Sequence, residues 1–235
     1  MAPRTGPPVV ALPWASLFQT IPLPRNSPMT QTAPPPTPQE AFSSRTFRLL
    51  LDALARPGTL QRLPEPLAPP PALPNATMPN PYAVAACLTL IDQETGFAHA
   101  CSGAWLAPDQ PLSRWMALRT NARLCPPSLA DYVILHDAAS APLLTELKQG
   151  SLTFPERSAT AFLCIAELSS PGATWNLRGP GINGTLTVGL PGVSATLLPA
   201  ILATRAHFPL GVDLFCVDRS GLCLGLPRTT MIGEV

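Results

Sequence analysis

The sequence predicts an α/β fold in which helices cover a layered mixed sheet. Segments with helical apolar spacing alternate along the chain with short runs of strand character, which favours helix-on-sheet layers over an all-β sandwich. Hydrophobic residues make up 46% of the 235 residues, enough to bury both faces of a sheet. No internal repeat of a solenoid or propeller is visible. A chain this long fits one large domain or two small ones.

Residues 1–38 hold eleven of the 32 prolines and no acidic residue, the composition of a disordered leader. Met29 lies inside it and offers a second start besides Met1. Residues 39–235 then read as a single α/β domain. Its first helix spans Gln39–Ala55, where Phe47, Leu50, Leu51 and Leu54 fall at i, i+3, i+4 and i+7, an apolar stripe. Arg56-Pro57-Gly58 ends it, because proline disfavours helical geometry in the residue before it and glycine permits the turn. Thr59–Leu63 reads as a short strand. Residues 64–81 form a proline-rich loop, longer than most ordered connections and expected to be mobile or draped over the surface.

Tyr82–Ile91 is a small-residue apolar run, expected as a buried helix. Pro111–Thr120 is a second short helix with Trp115 and Leu118 inward. Tyr132–Leu135 is a strand, and Pro142–Gln149 a short helix closing at Gly150. Ala159–Leu168, Ala173–Leu177 and Thr185–Leu190 are strands by composition and alternation. A helix opens near Thr196 with Pro199 tolerated in its first turn and Leu198, Ile201 and Leu202 inward. Val212–Val217 and Leu222–Leu226 close the domain as a hairpin.

Charge excludes several functions. Charged residues are 12% of the chain, against about 25% in ordinary soluble domains. So thinly charged a surface is expected to be covered in part by partner subunits. The net charge is +1, and all the basic residues but Lys148 are arginines, with no basic stripe. Nucleic acid is therefore not favoured. The charge-free stretch Gly179–Thr204 is broken by prolines and glycines and alternates as Thr185, Leu186, Thr187, Val188, which is strand and not membrane helix. The N-terminus lacks the uninterrupted apolar core of a secretory signal, so a cytoplasmic location is expected. None of the six cysteines forms a C-x-x-C pair or sits at zinc-ligand spacing from a histidine. Cys216 and Cys223 are placed to face each other across a hairpin turning at Asp218–Gly221, as buried thiols.

Catalytic motifs are scarce. There is no G-x-S-x-G, phosphate loop or H-E-x-x-H. Of His99, His136 and His207, only His136 has an adjacent acid, Asp137, and the pair reads as a solvated turn at a strand end. Two segments offer anion contacts. Arg178 precedes Gly179-Pro180-Gly181, whose backbone N–H groups can approach a phosphate, although a tight turn between strands explains the same residues. Arg228, beside Thr229 and Thr230, can add a guanidinium, although a polar strand end explains it equally. Asp213, in an apolar strand, needs an arginine or several N–H donors, a structural role. Glu156 is expected to pair with Arg157 or to cap the following segment. Lys148, the single lysine, sits in the polar tail of its helix and complements the C-terminus there. Pyridoxal phosphate needs a Schiff-base lysine, so no cofactor is expected.

Taken in order, these segments resemble the PhnH family, subunits of the bacterial carbon–phosphorus lyase core complex. The match is carried by Thr46-Phe47-Arg48 through Ala55-Arg56-Pro57-Gly58, by Leu88–Asp92 with Glu94, Thr95 and Phe97, and by Phe154-Pro155-Glu156 with Ser158-Ala159-Thr160. It continues in Leu177 with Gly179-Pro180-Gly181-Ile182, in Phe208–Leu214, and in Gly225-Leu226-Pro227-Arg228-Thr229-Thr230. It runs from about Ala41 to Ile232. The leader and the proline-rich loop at 64–81 depart from the family pattern.

The resemblance implies a fold similar to pyridoxal-phosphate-dependent transferases without the cofactor. It implies a homodimer joining PhnG, PhnI and PhnJ, acting with PhnL. That assembly converts ATP and an alkylphosphonate to ribose 1-phosphonate 5-triphosphate and adenine, with nucleosidase chemistry in PhnI and no catalytic residue transferred to this chain. The alternative is a phosphate- or nucleotide-binding enzyme or sensor using Arg178, Gly179, Gly181 and Arg228. Convergence of those groups on one concave pocket separates the two.

Overall fold

A computed structural model describes residues 35–74, 77–168, 174–189 and 196–234. The chain divides into Met1–Pro35 and Pro36–Val235. The expected leader, up to residue 34 and including Met29, lies outside the described residues.

The first helix, α1, spans Pro38–Ala55 and is set by its N-terminus: Thr37 and Glu40 form a capping box, with Pro38 in the first turn. Strand β1 follows at Leu60–Arg62, then α2 at Pro81–Leu90, capped by Asn80. Four strands come next, β2 (Gly96–Cys101), β3 (Ala104–Trp105), β4 (Arg123–Leu124) and β5 (Tyr132–Leu135), with α3 (Pro111–Thr120) before β4. Beyond them lie β6 (Thr160–Cys164), β7 (Thr174–Arg178), β8 (Leu186–Gly189), α4 (Leu197–Thr204), β9 (Asp213–Val217), β10 (Leu222–Leu226) and β11 (Met231–Glu234).

The main sheet runs β1-β10-β9-β6-β5-β2-β3, with β4 beside β2. Strands β2, β5, β6 and β9 are parallel, whereas β10 is reversed between β9 and β1. A second, antiparallel sheet runs β11-β7-β8. The α/β expectation holds.

Alternation along the main strands separates two cores. Toward α1, α2 and α3 point Phe97, Ile134, Phe162 and Phe215. Phe162 and Phe215 are paired in register and stack with centroids 5.1 Å apart. Toward the opposite layer point Val133, Leu163, Leu214 and Cys216, covered by α4, the second sheet and a 3-10 stretch at Ala138–Glu146. Cys216 and Cys223 therefore do not face each other. Cys216 pairs with Leu224 and Cys223 with Val217, so the thiols lie on opposite faces, both buried and free.

Several expectations need correction. The buried stripe of α1 is Thr46, Leu50 and Ala53, while Phe47 and Leu51 are more than half exposed. Helix α3 buries Leu112, Ser113 and Met116, leaving Leu118 at 84% exposure, and Leu202 of α4 is likewise exposed. The helix expected at Pro142–Gln149 is 3-10 and begins earlier, because the Asp137 carboxylate accepts from Ser140 N and caps it there. The strand expected over Ala159–Leu168 stops at Cys164, since Leu168 N donates instead to the Asp218 carboxylate. In the proline-rich loop, Pro70 and Leu73 are buried and tie the segment to the surface it crosses. Residues 173 and 190, at the ends of two expected strands, lie outside the described residues.

What positions the layers is the last turn of α1. A Cβ on Gly225 of β10 would lie 2.3 Å from the carbonyl oxygen of Ala53, well inside van der Waals contact, so only glycine lets the helix cross this close. Gly181, at φ +82, meets the same turn: its Cβ would lie 2.2 Å from the carbonyl oxygen of Ala55. The narrow Thr46–Leu50–Ala53 stripe follows from that approach. A bulky side chain facing β10 would hold the helix away. Gly225→Ala is expected to destabilise the fold by at least about 2 kcal/mol. Gly233→Ala, on β11 with open space around it, is expected to stay within about 0.5 kcal/mol. Urea unfolding of the two variants measures the difference.

Candidate functional site at the strand ends

The parallel strands β2, β5, β6 and β9 end along one edge of the sheet, where open α/β folds place their ligands. A cleft of about 480 Å³ opens there. Its polar lining includes Ser102 after β2, His136 and Asp137 after β5, Arg219 after β9, and Thr77 and Asn80 before α2.

Local chemistry fixes these groups. Ser102 and Gly103, both at positive φ, make the two-residue turn joining β2 to β3. Ser102 N donates to Asp137 Oδ2 at 2.6 Å, while Asp137 Oδ1 accepts from Ser140 N and Oγ. Those bonds hold the Asp137 carboxyl below its usual range against the opposing effect of burial, which is the largest influence on it. Asn80 donates to the carbonyls of Val217 and Asp218, tying the start of α2 to the end of β9.

His136 is not the solvated turn residue expected. Its Nε2 lies 3.2 Å from Nδ1 of buried His99, whose Nε2 lies 2.7 Å from Ser113 Oγ. Ser113 Oγ in turn donates to the carbonyl of Ala107 at 2.8 Å. With that proton committed, His99 carries its proton on Nε2 and His136 carries its own on Nε2 as well. The opposite direction loses the Ala107 bond and strands a buried N–H donor, the costlier arrangement. Burial pushes His99 down to about 4. Burial, with His99 beside it, pushes His136 down to about 3. Both imidazoles are neutral near pH 7. The cleft thiols are not activated: burial raises Cys101 and Cys164 above the ordinary thiol value. Asp137 does not bond His136, so the neighbouring pair is not an acid–base dyad.

The residues expected to contact an anion lie elsewhere. Arg178 is exposed and donates to Thr185 Oγ1 across the β7–β8 hairpin. Gly179 packs on the backbone of Thr229 and Thr230, and Gly181 on the end of α1. Arg228 pairs with Asp213: the backbone N–H donates to Oδ1 at 2.7 Å and Nη1 approaches Oδ2 at 3.3 Å, with Ser158 Oγ on the same nitrogen. The arginine partner that Asp213 required is therefore Arg228. None of these four residues lines the strand-end cleft. Arg205, which no motif announced, donates to the carbonyls of Leu226 and Thr230 and holds the same segment. Lys148 pairs with Asp131, whose carboxylate also accepts from Gly96 N and ties the start of β5 to β2, so Lys148 does not complement a helix end. Arg157 stacks over the ring of Phe154.

Two outcomes follow from these contacts. An unfolded histidine binds its proton below about pH 6.5, whereas folded His99 and His136 refuse it until about 4 and 3. Stability is therefore complete above about pH 6.5 and falls as pH drops below it, by up to about 1.4 kcal/mol per unit for each residue. Urea midpoints between about pH 7.5 and 5 read the slope, and His136→Gln should reduce it by about half. Asp213→Ala leaves the Arg228 guanidinium unpaired and should cost about 2–4 kcal/mol, whereas Arg178→Ala at the exposed hairpin should cost no more than about 0.5.

Comparison with known proteins matches the chain from residue 38 to 233 with a family described as "Bacterial phosphonate metabolism protein (PhnH)". The alpha-D-ribose 1-methylphosphonate 5-triphosphate synthase subunit PhnH of Rhizobium meliloti (strain 1021) is 32% identical over 190 residues, 79% of this chain and 88% of that protein. A putative C-P lyase subunit protein HtxG of Stutzerimonas stutzeri is 36% identical over 83 residues, 35% of this chain and 42% of that protein. The chain belongs to the PhnH family of bacterial phosphonate metabolism proteins.

Proposed function

We propose that this chain is the PhnH subunit of an alpha-D-ribose 1-methylphosphonate 5-triphosphate synthase, an accessory subunit in a carbon–phosphorus lyase assembly. The reading rests on the family match over residues 38–233. In the assembly it serves conversion of ATP and an alkylphosphonate to ribose 1-phosphonate 5-triphosphate and adenine. It forms a cytoplasmic homodimer that joins PhnG, PhnI and PhnJ, with PhnL required for activity.

Surface composition supports partners. Phe47 and Leu51 stand exposed on α1, and Leu118 on α3, on a chain whose charged residues are only 12%. Apolar side chains left outside in this way are stabilised by a covering subunit. Among the described residues no helix is long and apolar enough to cross a membrane.

The likeness to pyridoxal-phosphate-dependent transferases is supported by the largely parallel sheet with one reversed strand, β10, inside it. The role without that cofactor is supported by Lys148. Its ammonium is bound to Asp131 and does not line the strand-end cleft.

Co-expression of the tagged chain with PhnG, PhnI and PhnJ, followed by mass determination in solution, tests the assembly. Stoichiometric co-purification is expected, and Phe47→Asp with Leu51→Asp should reduce it at least about tenfold if α1 is covered by a subunit. A soluble homodimer that ignores the other three subunits would contradict the reading.

A further inference from the structure

Among the described residues that line the strand-end cleft, His136 carries a buried side-chain nitrogen without a partner. Its Nε2 is committed to His99, and its Nδ1 is buried with no hydrogen-bond partner among the described residues. By the proton order set through Ser113, that Nδ1 presents a lone pair. A buried acceptor without a donor is costly, and the cost is removed when a hydroxyl or amino group enters. Asp137, next in sequence and also lining the cleft, adds acceptor character on the same side.

The other side is cationic. Arg219, in the turn after β9, is exposed and has no hydrogen-bond or ion-pair partner among the described residues. Strands β5 and β9 are separated by β6, so the two sides stand about 10 Å apart at ordinary strand spacing. The cleft thus has an acceptor side and a cationic side, and Cys101, Cys164, Ile165 and Ala166 also line it. We propose that it binds a small molecule with a hydroxyl or amino donor at one end and an anionic group at the other, the donor received by His136 Nδ1 and the anion by Arg219.

This site is separate from Arg178, Gly179, Gly181 and Arg228, and it does not depend on the assembly proposed above. Two probes represent the ligand: glycerol 3-phosphate, whose donors are hydroxyls, and O-phosphoethanolamine, whose donor is an amine. Glycerol and inorganic phosphate each lack one half. Titration of the full-length chain labelled with 15N in its histidines follows both affinity and the His136 ring. Before ligand, the spectrum should show Nδ1 of His136 without a proton. At least one of the two probes should bind saturably, at least about tenfold more tightly than glycerol or phosphate, and shift that nitrogen. Arg219→Ala, at an exposed position that leaves folding intact, should weaken binding about tenfold or more. A protonated Nδ1 in the free protein would overturn the proposal. So would failure of both probes to saturate, affinity no greater than that for phosphate, or binding indifferent to Arg219→Ala.

Discussion

The carbonyl oxygens of Ala53 and Ala55 occupy space in which side chains of β10 and of the turn after β7 would otherwise begin. That contact decides the rest of the architecture. It brings the last turn of α1 down to the reversed strand β10 through Gly225 and brings the β7–β8 turn against the same helix end through Gly181. From β10 the order passes through register pairs to β9 and β6, and so to the strand ends where the cleft opens. Backbone against backbone leaves no adjustable side chain between the layers, so a small displacement of α1 is transmitted to both sheets.

Much of this was legible in the sequence, and the misses have physical causes. The Ala55-Arg56-Pro57-Gly58, Gly179-Pro180-Gly181 and Gly225–Thr230 segments stood out as motifs, and the structure shows them as three sides of one junction. Their meaning could not be read locally, because the contacts join residues from 50 (Gly179 and Thr229) to 172 (Ala53 and Gly225) positions apart. Phe47 and Leu51 matched helical periodicity but lost the core to Thr46 and Ala53, since the close crossing selects for small groups. Strand β2 was missed altogether. Gly96-Phe97-Ala98-His99-Ala100-Cys101 is buried on both faces and shows no alternation between apolar and polar to betray it.

The site shows the same limits. Asp213 advertised its need for an arginine or several N–H donors, because an acid inside an apolar strand is conspicuous, and Arg228 supplies both a guanidinium and a backbone N–H. His136 and Asp137 were noticed as a pair, yet the partner that matters is His99, which lies one strand away in the sheet and 37 residues away in the chain. Only the parallel pairing of β2 with β5 brings the two rings together. Arg219 had no signal at all beyond its charge. The residues of the α1–β10 junction thus announced themselves through family motifs, Arg205 excepted, while the cleft is assembled from residues outside most of those motifs.

Amide hydrogen exchange on the Gly225→Ala variant tests the central claim, that the α1–β10 crossing organises both sheets. The account predicts that protection falls together in the last two turns of α1, in the β1–β10 pair and in the turn at 179–182. Loss confined to β10, with α1 and that turn as protected as in the unaltered chain, would contradict it.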